Sequence, residues 1–230
     1  MFRDEDIFVV EKPPAMHSVY NENSRNEESL QKELEQLYSG LKLVTDAGLV
    51  QRLDFETTGL IAGAFNEASR ARLKLALISA EFLKSYLVLV QGACTQRTTV
   101  QGYLGGRYRG SAKVTMKDKP FERAQHSISE IFPLQVLGNC SLVRVDCSLA
   151  RRHQVRVHMA SIDHPLVGDA LYGATLNLAD FGVNDYPSDF ILVAYTLKFS
   201  HPITKETVSF KSSFDTEMFL KTLKGQRAAV

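Results

Sequence analysis

The chain has 230 residues, 44% of them hydrophobic and 23% charged, enough to bury a substantial core, and one domain spanning residues 1–230 is the expectation. A formal net charge of +1 excludes a protein that holds nucleic acid by bulk charge alone. No run reaches the roughly 18 uninterrupted apolar residues of a membrane-spanning helix, and the acidic opening Met1-Phe2-Arg3-Asp4-Glu5-Asp6 is unlike a signal peptide, so a soluble, cytoplasmic protein is expected.

The charge is unevenly placed. Met1 to Gln36 carries four Lys/Arg against nine Asp/Glu, whereas Arg97 to Gln125 carries seven against two, so one surface is expected to be basic on a nearly neutral molecule. Cys94, Cys140 and Cys147 are odd in number, lack C-x-x-C spacing and sit in or beside apolar runs, which reads as three reduced, structural cysteines.

In chain order, Asp6 to Lys12 is β-branched and aromatic and is stopped by Pro13-Pro14, which predicts a strand. Ser24-x-x-Glu27 has the form of a capping box, and Leu30, Leu34 and Leu37 share a helical face up to Gly40, predicting a helix of about three turns. Leu49-Val50 and Leu60-Ile61-Ala62 read as strand segments flanking a polar turn at Arg52–Gly59. Asn66 can cap a helix carrying Ala71, Leu73, Leu75, Leu77 and Ile78, and Phe82 to Val90 is a strong strand. From Thr98 to Val145 short strands alternate with glycine turns. Gly102 to Gly110, with Arg107 and Arg109 among aromatic residues, reads as an RNA-facing loop. Gln154 to Ile162 predicts a short helix stopped at His164-Pro165, followed by strands at Ile191–Phe199 and Thr207–Phe210 and a helix from about Asp215. Without a regular βαβ alternation, the pattern points to an α+β fold with a mixed, mainly antiparallel sheet.

The six histidines contain no H-x-x-x-H pair, no G-K-[ST] or dinucleotide fingerprint is present, and no G-x-S-x-G elbow occurs, so metal, nucleotide-cofactor and serine-hydrolase chemistry are not indicated. What remains is a carboxylate among arginines: Arg52-Leu53-Asp54 on one turn, and Arg151-Arg152-His153-Gln154-Val155-Arg156 much later in the chain. A cation beside a carboxylate favours its ionised, nucleophilic form, and Arg156 is the expected partner of Asp54. The same residues also fit a turn aspartate and a solvated arginine-rich helix face.

Several ordered segments resemble the RluA-type RNA pseudouridine synthase family. Gln51-Arg52-Leu53-Asp54-Phe55-Glu56-Thr57-Thr58-Gly59-Leu60 is similar to the family's H-R-L-D-x-x-T-S-G-[LIV] motif, which implies Asp54 as the catalytic aspartate. Lys84-Ser85-Tyr86-Leu87-Val88-Leu89-Val90 resembles K-x-Y-x-x-x-V and implies that Tyr86 packs on the target base. Arg151 to Met159 resembles G-R-[ST]-H-Q-[IL]-R-V-H-[ML], implying that Arg156 pairs with the aspartate. His164-Pro165-Leu166-Val167-Gly168-Asp169-Ala170-Leu171-Tyr172-Gly173 follows H-P-[IL]-x-G-D-x-x-Y-G, and Asp6 to Pro14 resembles the family's opening strand.

The resemblance implies the pseudouridine synthase α+β fold with flanking helices and a central cleft, and a catalytic domain without an N-terminal S4-like module. It further implies a monomer that needs no cofactor or metal. The expected activity is isomerisation of uridine to pseudouridine in structured RNA, transfer or ribosomal, with neither DNA nor membrane as partner. Asp54 would start cleavage of the glycosidic bond by attacking the ribose, adding to the base or removing a sugar proton. Arg52, Arg107, Arg109 and Arg151 are candidate phosphate contacts. The chain departs from the family pattern at Gln51, Thr58, Ala150 and Arg152. A catalytically weak RNA-binding or RNA-folding protein of the same fold is the competing expectation, with a base-releasing hydrolase behind it.

Overall fold

A computed structural model of the chain describes residues 1–20, 28–78, 82–106, 108 and 110–225. Its strands are β1 (Phe2–Arg3), β2 (Ile7–Lys12), β3 (Thr58–Ala64), β4 (Leu83–Gln91), β5 (Thr98–Gly106), β6 (Val114–Lys117), β7 (Gln125–Leu137), β8 (Cys140–Cys147), β9 (Leu192–Ser200) and β10 (Thr207–Lys211). Its helices are α1 (Leu30–Leu37), α2 (Glu67–Ile78), α3 (Gln154–Ser161) and α4 (Thr216–Gly225), with short 3-10 turns between elements. The class is α+β, as expected. The chain divides into two compact units, residues 1–84 with 193–212 and residues 85–192 with 213–230.

In the first unit β1, β2, β3 and β9 lie side by side and β10 flanks β9. β2 and β3 are antiparallel, with Val10 opposite Ile61 and Lys12 opposite Gly59, whereas β3 and β9 run parallel. Successive side chains of a strand point to opposite faces, so β2 and β3 feed two cores. Ile7, Val9, Leu60 and Ala62 pack with Leu73 of α2, Phe82 and Phe199. Phe8, Val10 and Ile61 pack with Leu30 and Leu34 of α1, Leu41 and Leu49. Burial on both faces explains why these strands read as nearly continuous apolar runs rather than alternating ones.

In the second unit the strand order is β4, β8, β7, β5, β6. β5 pairs antiparallel with both β6 and β7, and β7 pairs antiparallel with β8, with an irregularity between Pro133 and Gln135. Leu104 and Val114 from this sheet pack against Val157 of α3 and Tyr172.

Several expectations change. Helix α1 is capped by Ser29, whose hydroxyl accepts from the Lys32 amide at 3.2 Å, and it spans eight residues; Ser24 and Glu27 lie outside the described residues. Gly102 to Gly106 belong to β5 rather than to a loop, because they pair in register with β6 and the start of β7. Leu49 makes only an isolated bridge to Gly63. In α2, Asn66 does cap, its Oδ1 accepting from the Ser69 amide at 2.8 Å, but Leu75 and Ile78 are 64% and 66% exposed. Leu73 and Leu75 are two residues apart, a spacing that cannot keep both on one helical face. All three cysteines are buried and none is in a disulfide.

Candidate functional site

Asp54 stands in the first unit, partly exposed, on the turn that leads into β3, and its carbonyl accepts from the Thr57 amide at 3.1 Å. Three side chains fix that turn. Ser18 donates its hydroxyl to the Leu53 carbonyl at 2.9 Å and accepts from the Leu53 amide at 3.0 Å. Thr58 donates to the Lys12 carbonyl at 2.7 Å. The Lys12 side chain is fully buried, and its ammonium donates to the carbonyls of Pro13 at 2.8 Å, Met16 at 2.8 Å and Phe55 at 3.1 Å. Burial pulls Lys12 down from its ordinary range to about 8, against the opposing attraction of the Asp54 and Glu56 carboxylates. A buried cation therefore sits within electrostatic reach of Asp54, tied to the residue after it. The His17 and Phe55 rings pack at 4.8 Å on the same turn.

Gln51, where the resemblance expects histidine, donates its amide to the Leu60 carbonyl at 3.3 Å and leaves its buried Oε1 without a hydrogen-bond partner. Arg52 is exposed, as a phosphate-contacting residue would be. Arg107 and Arg109 lie outside the described residues.

Tyr86 and Arg156 belong to the second unit. Tyr86 is buried on β4. Arg156 is carried by α3 and is 4% exposed, so the reading of that helix as a solvated arginine face is corrected: Val155, Arg156, Val157 and His158 all turn inward. Its guanidinium grips Asp169 in a fork, Nε to Oδ2 at 2.6 Å and Nη2 to Oδ1 at 2.7 Å. The plane also lies over Phe190 and Tyr172, 4.5 Å and 5.0 Å from the ring centroids. The Tyr172 hydroxyl accepts from the Val114 amide at 2.9 Å and lies 2.8 Å from His153 Nδ1. The carboxylate this fork grips within the second unit is that of the Gly168-Asp169 turn.

Lys12 in the first unit, and Asp169 and Tyr172 in the second, are residues to which the sequence pattern assigned no role, although each falls inside a motif segment. For Asp169 and Tyr172 the available signal was their place in the segment His164 to Gly173 that follows the family pattern.

Helix α3 is anchored by polar contacts. Buried His158 has Nδ1 2.8 Å from the Ser129 hydroxyl and Nε2 3.0 Å from that of Ser127, and burial lowers its pKa to about 4, so the ring is neutral. Gln154 donates to the Ile128 carbonyl at 2.9 Å and to Ser129 at 3.0 Å. Arg152, at a position where the family motif has Ser or Thr, donates to the carbonyls of Ser111 and Ala112. Arg151 is partly exposed; its amide bonds Gln154, while its buried Nε has no hydrogen-bond partner. Among the described residues no cluster of metal-ligating side chains occurs, and no helix is long and apolar enough to cross a membrane.

Comparison with known proteins gives a consistent picture. Residues 6–161 match the family described as RNA pseudouridylate synthase. Over 97% of its length the chain is 30% identical to the ribosomal large subunit pseudouridine synthase D of Vibrio cholerae, of which it spans 69%. It is also 30% identical to the protein of the same description from Xylella fastidiosa, of which it spans 62%. Among solved structures, human RNA pseudouridylate synthase domain containing 4 matches with a TM-score of 0.74 at 19% identity, covering 98% of this chain and 92% of that one. Human RNA pseudouridylate synthase domain containing 1 matches at 0.66 and 23%, covering 97% and 93%. Both establish the fold.

Proposed function

Because the chain belongs to the RNA pseudouridylate synthase family, we propose that it isomerises one or a few uridines of a structured RNA to pseudouridine, with Asp54 as the catalytic carboxylate. Ribosomal RNA is the favoured substrate, since several relatives of about 30% identity, those of Vibrio cholerae and Xylella fastidiosa among them, are described as ribosomal large subunit enzymes. The observation that carries the reading is the Asp54 turn. An aspartate on a partly exposed turn is held by a fully buried lysine, a serine and a threonine, which is more fixation than a surface loop requires.

In this account the target uridine leaves its stack, because the glycosidic bond of a stacked base is out of reach, and Tyr86 packs on the flipped base. Asp54 starts cleavage of the N-glycosidic bond. The uracil turns and rejoins C1′ of the ribose through C5, and the C5 hydrogen leaves as a proton while N1 gains one, so no atom is lost and no oxidant is needed. Arg156, held rigid by Asp169 and by two aromatic rings, supplies a fixed positive charge for the chemistry. Arg52 and Arg151 contact backbone phosphates, as do Arg107 and Arg109 in the basic segment.

The test is incubation of the purified chain, with no added cofactor or metal, with total RNA from a strain lacking its gene. New pseudouridines are then mapped by carbodiimide-dependent reverse-transcription stops. Stops at discrete uridines support the reading; tight RNA binding with no stop would replace it with an RNA-folding role. Free uracil in the mixture would replace it with hydrolysis.

A further inference from the structure

The second unit carries a cleft of about 570 Å³ that none of the roles above uses, lined by Tyr108, Lys113, Thr115, Lys117, Phe121 and Leu171 among others. Its chemistry follows from the strand that forms its floor. Along β6, Val114 and Met116 turn into the core with Leu104, Val157 and Tyr172, which leaves Thr115 and Lys117 exposed on the opposite face, while exposed Lys113 stands just before the strand with its ammonium 5.3 Å from the Tyr172 ring centroid. The two lysines stand about 13 Å apart along the strand with a hydroxyl between them. No aspartate or glutamate is among the described residues lining the cleft, so the two charges are not neutralised at its wall.

The walls are aromatic. Tyr108 is 69% exposed, and Phe121 lies under the Lys117 ammonium, which is 5.0 Å from its ring centroid. This arrangement is built into the backbone. A Cβ on Gly105 would stand 2.9 Å from the Phe121 ring, so only glycine lets that ring lie against β5. The segment leading into β6 is held from below by Arg152, which donates to the carbonyls of Ser111 and Ala112, while Ser111 donates to the Lys113 carbonyl at 2.8 Å. Arg152 thereby acquires a reason: it shapes this cleft.

Exposed aromatic faces beside unneutralised lysines, in a concave site of this size, are the combination that binds single-stranded nucleic acid, with bases stacking on rings and phosphates at the ammonium groups. We infer that this cleft is an accessory subsite for one or two unpaired nucleotides of the RNA, separate from the uridine that reacts. Lys113 and Lys117 take phosphates, and Tyr108 offers the stacking face. The inference rests on the RNA reading above and adds to it a place where RNA outside the target position is gripped.

The experiment is a salt titration of the full chain with a labelled single-stranded RNA oligonucleotide of about 12 nucleotides, a length in the range such grooves cover. Lys113→Gln/Lys117→Gln is expected to reduce the slope of log affinity against log salt by about 1.4, or about 0.7 for each ammonium group removed. Tyr108→Ala is expected to weaken binding roughly tenfold with the slope unchanged. Oligonucleotides carrying 4-thiouridine should cross-link to wild type within the peptide from Tyr108 to Phe121, a readout that needs no variant. Unchanged slope and affinity in both variants, or cross-links confined to other peptides, would overturn the subsite. Pseudouridine mapping on the same preparations separates the two proposals. RNA binding with these effects but without product would leave the subsite standing and remove the reaction; product formed equally by wild type and both variants would remove only the subsite.

Discussion

The ammonium of Lys12 donates to the carbonyl of Phe55, 3.1 Å away and forty-three positions along the chain, and so ties the end of β2 to the turn that presents Asp54. Lys12→Met leaves the carbonyls of Pro13, Met16 and Phe55 without that donor and should lower stability by about 1–3 kcal/mol. Single-turnover conversion should fall more than RNA affinity does, since the turn and not the RNA surface is disturbed. Denaturant melts and rapid-quench measurements on the same variant check both halves.

A pH dependence belongs to the same residue. Its folded pKa, about 8, lies below the ordinary lysine value of 10.5, so between those values the unfolded chain binds more protons than the folded one. The stability contributed by this group is complete above 10.5 and lost as the pH falls through about 8. The difference in unfolding free energy between wild type and Lys12→Met should therefore grow from pH 8 to pH 10.5. A difference independent of pH across that window would contradict the assignment.

His158 gives the acidic counterpart. Its folded pKa of about 4 lies below the ordinary 6.5, so its contribution is complete above pH 6.5 and is lost as the pH falls through 4, an effect on the order of 3 kcal/mol. His158→Asn should flatten the stability profile between pH 4 and 6.5, measured by urea unfolding across that range.

The Arg156–Asp169 fork is buried on both sides, 5% and 1% of the side chains being exposed. Asp169→Asn removes a buried charge gripped by the guanidinium and should cost about 3–5 kcal/mol. Arg156→Lys keeps the charge but gives up the bidentate geometry and should destabilise less while still impairing turnover. Thermal melts followed by circular dichroism rank the two.

Gly59 explains one letter of the motif around Asp54. It has φ of +108°, and a Cβ there would run into the backbone of Ala194, its partner across the parallel β3–β9 pair. Gly59→Ala should split that pair and yield little folded protein, measurable as a drop in the soluble fraction and in amide protection along β3.

What was legible in the sequence is what local chemistry determines. The Asn66 cap, the apolar strands β2 and β3, and the polar turn holding Asp54 follow from residue types over a few positions. Partners distant in sequence were not legible. Lys12 reads as an ordinary polar strand end before Pro13-Pro14, and only the fold brings the Phe55 carbonyl to it. Arg156 also fitted a solvated reading because it follows Arg151 and Arg152 in an arginine-rich stretch, yet aromatic rings from Tyr172 and Phe190 cover it. Glycine at 102, 105 and 106 suggested a loop, whereas here it serves close packing within β5 against Met116, Phe121 and Ser111.

The most direct measurement is tritium release from RNA labelled at C5 of uridine, because forming the new carbon–carbon bond expels that hydrogen. Wild type should release tritium in proportion to pseudouridine formed, and Asp54→Asn, folded and still binding RNA, should release none. Release by Asp54→Asn at the wild-type rate would contradict the assignment of Asp54 as the catalytic carboxylate.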